Sequence, residues 1–229
     1  MENEKPWSSE KVAEAHRYNA GEYLNTYDPW HSSFNTWLKN KKDVRIFDIG
    51  CGSGKVLGYL TNTNKYVGID INKICIDSAN AQLTSSGQFF NAFGWRDREH
   101  IDDNIKELFA LDNPNIIPEV KFFLQDIEEE MRKEVTKEMR DCNICYIDSV
   151  LTMVEHPFNV LSYLLEQNFE YIFLNRTPFN HSHTVKNSHK WGGMEKESPL
   201  WRFSPEFFRL FKEEHYVAYG PDFVVLRSL

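Results

Sequence analysis

Between residues 48 and 54 the chain reads Asp48-Ile49-Gly50-Cys51-Gly52-Ser53-Gly54. Three glycines at alternate positions let a backbone bend sharply, and they let another molecule lie against the main chain because no side chain intervenes. A plain tight turn needs one glycine; three behind an acid point to a binding loop. A phosphate-cradling loop requires Gly-x-x-x-x-Gly-Lys-Ser/Thr. Gly54-Lys55 is present, but Ile49 stands where the first glycine belongs and Val56 where the hydroxyl belongs, so that pattern is excluded. A dinucleotide loop reads Gly-x-Gly-x-x-Gly. Here Lys55 holds the third glycine's place and Gly54 comes one residue early, which weakens that reading.

Twenty residues beyond Gly50 stands Asp70. A carboxylate there can accept both hydroxyls of a ribose in charge-assisted hydrogen bonds. It marks an adenosine-bearing ligand without choosing which one, since nicotinamide enzymes place an acid similarly. Asp126 and Asp148 are two further acids at strand ends. Asp126 also has the position of a helix cap, and Asp148 is a candidate to touch ligand or to stand in solvent. Residues 175–202 hold Arg176, Lys186, Lys190, Lys196 and Arg202 against Glu195 and Glu197, a local balance of +3 in a chain of net charge −8. A basic stretch in an acidic protein favours an anionic partner. His181, His183 and His189 lie in the same stretch. Imidazole titrates near neutrality, so His181 leads as a general base, followed by His156 and His183. Zinc is a weaker reading of this tract, because no Cys or carboxylate sits at ligand spacing inside it, and no metal is expected. Gly192-Gly193 fits either a lid hinge or a plain turn.

These residues need a scaffold. Val44–Ile49 is an apolar run ending at the glycines, a buried strand, and Tyr66–Asp70 is a second. Lys55–Leu60 and Ile74–Leu83 read as helices. Residues 88–119 fit a helical excursion before a third strand, Val120–Leu124. Ile127, Met131, Val135 and Met139 recur every four residues, which predicts an amphipathic helix with Glu128–Arg132 and Glu129–Lys133 pairs on its outer face. Cys142–Ile147 and Tyr171–Leu174 are strands four and five. A helix starting at Pro157 lies between them, with Phe158, Leu161, Leu164 and Leu165 as its apolar residues. Ser204-Pro205-Glu206 opens a last helix with Phe207, Phe208, Leu210 and Phe211 buried. Tyr216–Tyr219 and Phe223–Leu226, around Gly220-Pro221-Asp222, form a closing hairpin. Alternating strands and helices predict an α/β fold with a mostly parallel sheet, whose ligands sit at the carboxyl ends of the strands. Cys142 and Cys145 match Cys-x-x-Cys on a strand, where residues three apart face opposite ways, so both read as core cysteines.

The spacing Asp-x-Gly-x-Gly-x-Gly resembles motif I of class I S-adenosylmethionine (SAM)-dependent methyltransferases, and the order of the later acids and strands from Val44 to Leu229 follows that family. The resemblance implies a Rossmann-like fold: a mostly parallel seven-stranded sheet ending in an antiparallel hairpin. It implies SAM as cofactor and S-adenosylhomocysteine as product, with Asp48, Gly50, Cys51, Gly52, Gly54, Asp70, Ile71, Asp126, Ile127 and Ser149 at the cofactor. The acceptor side falls to Arg176, His183 and Arg202, and the chemistry to His181, His156 and Asp148. Asp148-Ser149-Val150-Leu151 stands where amino-methylating DNA enzymes carry Asn/Asp-Pro-Pro-Tyr/Phe, so a nucleic-acid acceptor is not expected. A narrower resemblance rests on Ser149-Val150-Leu151, Glu155-His156-Pro157, Asn175-Arg176-Thr177-Pro178-Phe179 and Pro199-Leu200-Trp201-Arg202-Phe203-Ser204. These look like methyltransferases encoded with bacterial surface-polysaccharide genes, a family that more often has Asp where Asn175 stands and Tyr-Pro where Ser198-Pro199 stands. It implies a place in surface-polysaccharide synthesis and no particular substrate; taken with the basic stretch over 175–202, the expected reaction is O-methylation of a small anionic sugar or glycan precursor. A methyltransferase-like binding module without turnover and a nicotinamide-dependent oxidoreductase are the competing functions.

Composition sets the frame. With 229 residues, 41% hydrophobic and 26% charged, the chain reads as a single domain: a helical, aromatic cap over 1–43, a cofactor core over 44–174, an acceptor segment over 175–203, and a final helix and hairpin over 204–229. Tyr18 and Tyr23 in the cap are candidates to lie over the cofactor. The acidic balance opposes non-specific nucleic-acid binding. Four cysteines and no apolar run of the ~18–20 residues a membrane span needs fit a reducing cytoplasm.

Overall fold

The fold was obtained as a computed structural model. It describes residues 8, 10, 29–54, 56–57, 60, 63–81, 83, 119–177, 179, 181–190, 197–209, 216–219 and 223–227. Most of the expected helix from Lys55, the 88–119 excursion up to residue 118, Tyr18, Tyr23, Gly192-Gly193 and the closing turn at 220–222 lie outside the described residues. Of the expected cap, the described part is essentially one helix, α1 (Pro29–Leu38).

Five strands run parallel: β1 (Val44–Ile49), β2 (Thr63–Asp70), β3 (Glu119–Leu124), β4 (Ile144–Asp148) and β5 (Tyr171–Asn175). The hairpin β8 (Tyr216–Tyr219) and β9 (Phe223–Arg227) joins them antiparallel through β9 on β5. The sheet order is β3-β2-β1-β4-β5-β9-β8. β1 is the middle of the five parallel strands, and the chain leaves it to one side for β2 and β3 and to the other for β4 and β5. That reversal opens a crevice at the carboxyl ends of β1 and β4, the place where open α/β sheets hold ligands.

Alternation along each strand serves two cores. Phe47, Ile49, Val67, Ile69, Cys145, Ile147, Ile172 and Leu174 face one side, beneath α3 (Lys133–Arg140) and α4 (Pro157–Leu165). Val44, Ile46, Tyr66, Phe122, Tyr146 and Phe173 face the other, beneath α1 and α2 (Lys73–Asn80). Sheets covered on both faces read as near-continuous apolar runs, which is what made these strands visible. Asn72 caps α2 by accepting from the Ile74 and Cys75 amides at 3.1 and 3.3 Å, and Pro157 fills the first turn of α4. Phe34 of α1 stacks on Tyr146 with ring centroids 4.1 Å apart. Among the described residues no helix is long and apolar enough to cross a membrane.

Four expectations need correction. The helix over Ile127–Met139 begins only at Lys133. Before it, Gln125 organises a loop: its Oε1 accepts from the Arg132 amide at 3.2 Å and its Nε2 donates to the Asp126 carbonyl at 2.8 Å. Ile127 still reaches the core, but Glu128 accepts from the His156 amide at 2.8 Å instead of facing Arg132 along a helix. Phe158 is 45% exposed; Val160, Leu161 and Leu164 form the buried stripe. Cys142 precedes β4 and shares one core with Cys145, so the two do not face apart, although both are free and buried. Residues 185–202 contain a two-stranded antiparallel ribbon, β6 (Val185–His189) with β7 (Ser198–Arg202). Its β6 strand is exposed at every position, so no hydrophobic alternation announces it. The last helix, α5 (Pro205–Arg209), starts where the Ser-Pro-Glu signal placed it.

Candidate active site

The glycine loop is pinned to β2. Gly50 and Cys51 donate their amides to the Ile69 carbonyl at 2.8 and 3.0 Å, and Gly52 donates to Asp70 Oδ2 at 2.9 Å. Gly50, Gly52 and Gly54 have φ of 75, 55 and 78°, a region closed to most side chains. A Cβ on Gly50 would strike Val150 Cγ2 at 2.1 Å, whereas a Cβ on Gly52 would meet nothing within 4 Å among the described residues. Gly50 is therefore closed off by protein, and the open cradle lies over Gly52. The amides of Gly50, Cys51 and Gly52 are turned toward β2, so the surface offered to a ligand is the Cα face of the loop.

Asp70 stands at the edge of that cradle. Its Oδ1 accepts from the Asn72 amide at 2.7 Å and its Oδ2 from Gly52. Two backbone donors fix the carboxylate's orientation, and each oxygen keeps acceptor capacity for a hydroxyl. Ile71 follows, half-buried. Cys51 turns inward, 7% exposed. A Cβ on Gly68 would lie 2.7 Å from its Sγ, so the glycine in β2 makes room for this thiol. Burial pushes the thiol well up, which leaves Cys51 a neutral packing group.

Asp48 is 2% exposed and accepts from the Tyr66 hydroxyl. Burial pushes its carboxyl up to about 8, although the Tyr66 hydrogen bond favours the charged form. Asp126 sits after β3, half-buried, with Oδ1 accepting from the Glu128 amide at 2.9 Å. This is an Asx turn that shapes the loop carrying Ile127.

Asp148 and Arg176 meet across the ends of β4 and β5. The guanidinium is bidentate, Nε to Oδ1 at 2.6 Å and Nη2 to Oδ2 at 2.7 Å. Both turns behind this pair are left-handed, Ser149 at φ 65° and Arg176 at φ 45°. Non-glycine residues held there signal a built turn. Ser149 donates its amide to the Asn175 carbonyl at 3.0 Å, and the Asn175 side chain donates to the Tyr146 hydroxyl at 2.9 Å.

The histidines are placed by other contacts. His156 precedes α4 and is tied to Glu128. His181 donates its amide to the Phe203 carbonyl at 3.3 Å, and His183 lies near the α5 acid Glu206, whose carboxyl is held low first by its own backbone amide and the Ser204 hydroxyl. Arg202 ends β7, exposed. The basic balance of 175–202 is smaller in space than in sequence, because acids outside the segment take up two cations: Asp148 pairs with Arg176 and Glu155 with Lys186. Two anchors of this region escaped the sequence reading. Trp201 Nε1 donates to the Val154 carbonyl at 2.9 Å and fixes the ribbon beside the post-β4 turn. Tyr66, buried at 0% exposure, holds Asp48. Tyr66 reads as ordinary core in an apolar strand; an acid in the same layer was the available signal. Among the described residues no group of three or more His, Cys, Asp or Glu is arranged to hold a metal ion.

No family model and no curated protein matches the sequence. Solved structures do match the fold. The N-terminal domain of EvdMO1 with S-adenosylhomocysteine bound aligns over 90% of this chain and 84% of its own, at 13% identity and a TM-score of 0.53. The same domain in the presence of S-adenosylhomocysteine and D-fucose aligns over 94% and 97%, at 10% identity and a TM-score of 0.53. The plantazolicin methyltransferase BpumL in complex with S-adenosylhomocysteine aligns over 74% of this chain at 20% identity and a TM-score of 0.47, and the chain spans 56% of that protein's length. At these identities the likeness to EvdMO1 is one of fold.

Proposed function

We propose that the chain is a SAM-dependent methyltransferase that methylates a hydroxyl of a small anionic sugar or glycan precursor used in surface polysaccharide. One observation carries the cofactor reading: the cradle over Gly52, open to 4 Å among the described residues and edged by an oriented carboxylate 2.9 Å from the Gly52 amide, lies where the strand order reverses. Side chains at Gly50, Gly52 and Gly54 would strain the loop, and one at Gly52 would fill the cradle.

Asp70 would hold the ribose hydroxyls. Ile71, Asp126 and Ile127 would line the adenine side, and the loop from Gly50 to Gly54 with Asp48 and Ser149 the methionine side. SAM supplies an electrophilic methyl on a sulfonium, so alignment and exclusion of water matter more than activation of the donor. Asp148 is committed to Arg176 and shapes the acceptor edge. The acceptor hydroxyl's proton then falls to His181, with His156 as the other candidate. His183 and Arg202 would recognise the acceptor's charge, and Arg176, its Nε and Nη2 held by Asp148, would offer the acceptor its remaining N–H groups.

The test is calorimetric titration with SAM, S-adenosylhomocysteine and NADH, followed by incubation with labelled SAM and nucleotide-sugar pools. The reading expects SAM and its product to bind, Asp70→Ala to weaken both at least tenfold, and label to enter a sugar. Binding without transfer would make the chain a binding module. NADH binding alone would make it an oxidoreductase fold variant.

A further inference from the structure

Asp48, Asp70 and Asp148 stand at the carboxyl ends of three neighbouring strands, β1, β2 and β4. Two of them have donors suited to a charge. Asp70 accepts backbone amides and Asp148 a bidentate guanidinium. Asp48 has a neutral partner, the Tyr66 hydroxyl, and is the most buried of the three at 2% exposure.

The groups around Asp48 come from every adjoining element. β2 contributes Tyr66 and, at its end, Asp70; β4 contributes Cys145, Tyr146 and, at its end, Asp148; the glycine loop contributes Cys51. α1 contributes Phe34, stacked on Tyr146. Among the described residues the two charges that bear on Asp48 are both negative, and the nearby cation Arg176 is committed to Asp148. Burial pushes Cys51, Cys145, Tyr66 and Tyr146 upward, so these four stay neutral near pH 7 and Asp48 is the group free to change charge.

A buried carboxyl with like charges beside it ionises when a cation arrives to offset the cost. SAM and its product differ by one positive charge, the sulfonium, which becomes a neutral thioether once the methyl has left. We propose that Asp48 is the specificity-determining group that separates the two: a neutral acid in the empty site, it gives its proton to solvent against the sulfonium cofactor, with Tyr66 donating to the resulting carboxylate, and recovers a proton against the uncharged product. Product release is then favoured by the loss of the charge that held Asp48 ionised. This inference rests on the cofactor reading above.

The test is calorimetry on the full chain with SAM and with S-adenosylhomocysteine, each in two buffers of different ionisation enthalpy, from about pH 6 to about pH 7.5. Near pH 6, about two units below the ~8 of an α-amino group, the cofactor's own amine stays protonated, so the proton count is read there. SAM binding should release close to one proton and tighten with pH, up to about tenfold per unit; the product should release far less and show a shallower slope. Asp48→Asn should remove the proton release and narrow the preference for SAM over product. Tyr66→Phe should shift the slope to higher pH, so a second variant is in hand if the first fails to fold. Equal proton release for both ligands, or SAM binding without buffer dependence, overturns the inference and leaves the cofactor reading standing. Failure of both ligands to bind overturns the two together.

Discussion

Gly50 and Gly52 share a left-handed backbone but differ in what surrounds them. At Gly50 an added methyl meets Val150 Cγ2 at 2.1 Å, so Gly50→Ala should lose about 2–4 kcal/mol of stability from overpacking and backbone strain combined. At Gly52 the same methyl meets no described residue within 4 Å. Gly52→Ala should lose only the ~1–2 kcal/mol of an alanine in that backbone region, while SAM affinity falls more than tenfold as the cradle fills. Urea unfolding paired with calorimetry separates the two outcomes. Asp48 gives a second prediction. Its carboxyl rises from an ordinary 3.8 to about 8 in the folded chain, so between those values the folded state holds a proton that the unfolded state has released. Its contribution to stability is therefore greatest below about pH 4 and declines as pH rises toward 8, by up to ~1.4 kcal/mol per unit. Asp48→Asn removes that decline: the variant should gain on the wild type steadily from pH 5 to pH 8 in urea midpoints. A flat difference would show that Asp48 is ionised throughout. The left-handed turn at the glycines and the strand-end places of Asp48, Asp70 and Asp148 were legible because they depend on local spacing. Tyr66 was not, because only the fold sets its hydroxyl against Asp48.

Trp201 holds the β6–β7 ribbon to the turn after β4 through an indole hydrogen bond to the Val154 carbonyl, at 2.9 Å, while its ring stacks on Phe203 with centroids 6.4 Å apart. Trp201→Phe keeps an aromatic ring and loses the donor. It should cost about 1 kcal/mol, and amide exchange should quicken in residues 185–189 and 198–202 while the central sheet stays protected. Uniform quickening would show that the ribbon and sheet open as one unit. The ribbon went unread in the sequence for a physical reason. β6 is exposed on both faces, so no burial imposes a period of two, and its strand character comes only from pairing with β7. The shortened α3 is the converse case. Ile127, Met131, Val135 and Met139 keep a helical period, yet Gln125 and Asp126 offer the backbone side-chain partners that compete with a helix.

Across the whole molecule, the amino ends of the strands are held by charge. Lys65, with a side chain 7% exposed, pairs with Glu138 at 2.7 Å, Asp141 at 2.8 Å and Glu119 at 3.3 Å, and Lys121 joins the same acids Glu119 and Glu138 at 2.7 and 2.9 Å. These contacts tie β2 and β3 to α3. The lysines hold the Glu138 and Glu119 carboxyls below their ordinary range, and Lys65 does the same for Asp141. The stabilisation is therefore present at neutral pH and lost as pH falls through the lowered values. Lys65→Met should cost about 2 kcal/mol at pH 7, less than the ~3–5 of a fully buried pair because Asp141 and Glu119 are partly exposed. The deficit should shrink toward pH 3; a deficit independent of pH would assign the loss to packing. The parallel order of the first five strands was readable from alternating strands and helices, whereas this lattice of ion pairs joins residues up to 76 positions apart and has no local signature. One further property follows from β9 lying between β5 and β8. The ribosome delivers β8 before the strand that must separate it from the rest, so for an interval the parallel strands are finished and the rim of β5 stands unsealed. Growing copies crowded on one messenger present matching bare rims to each other during that interval, and speed of translation through residues 216–227 becomes a determinant of how many end up paired with the wrong molecule.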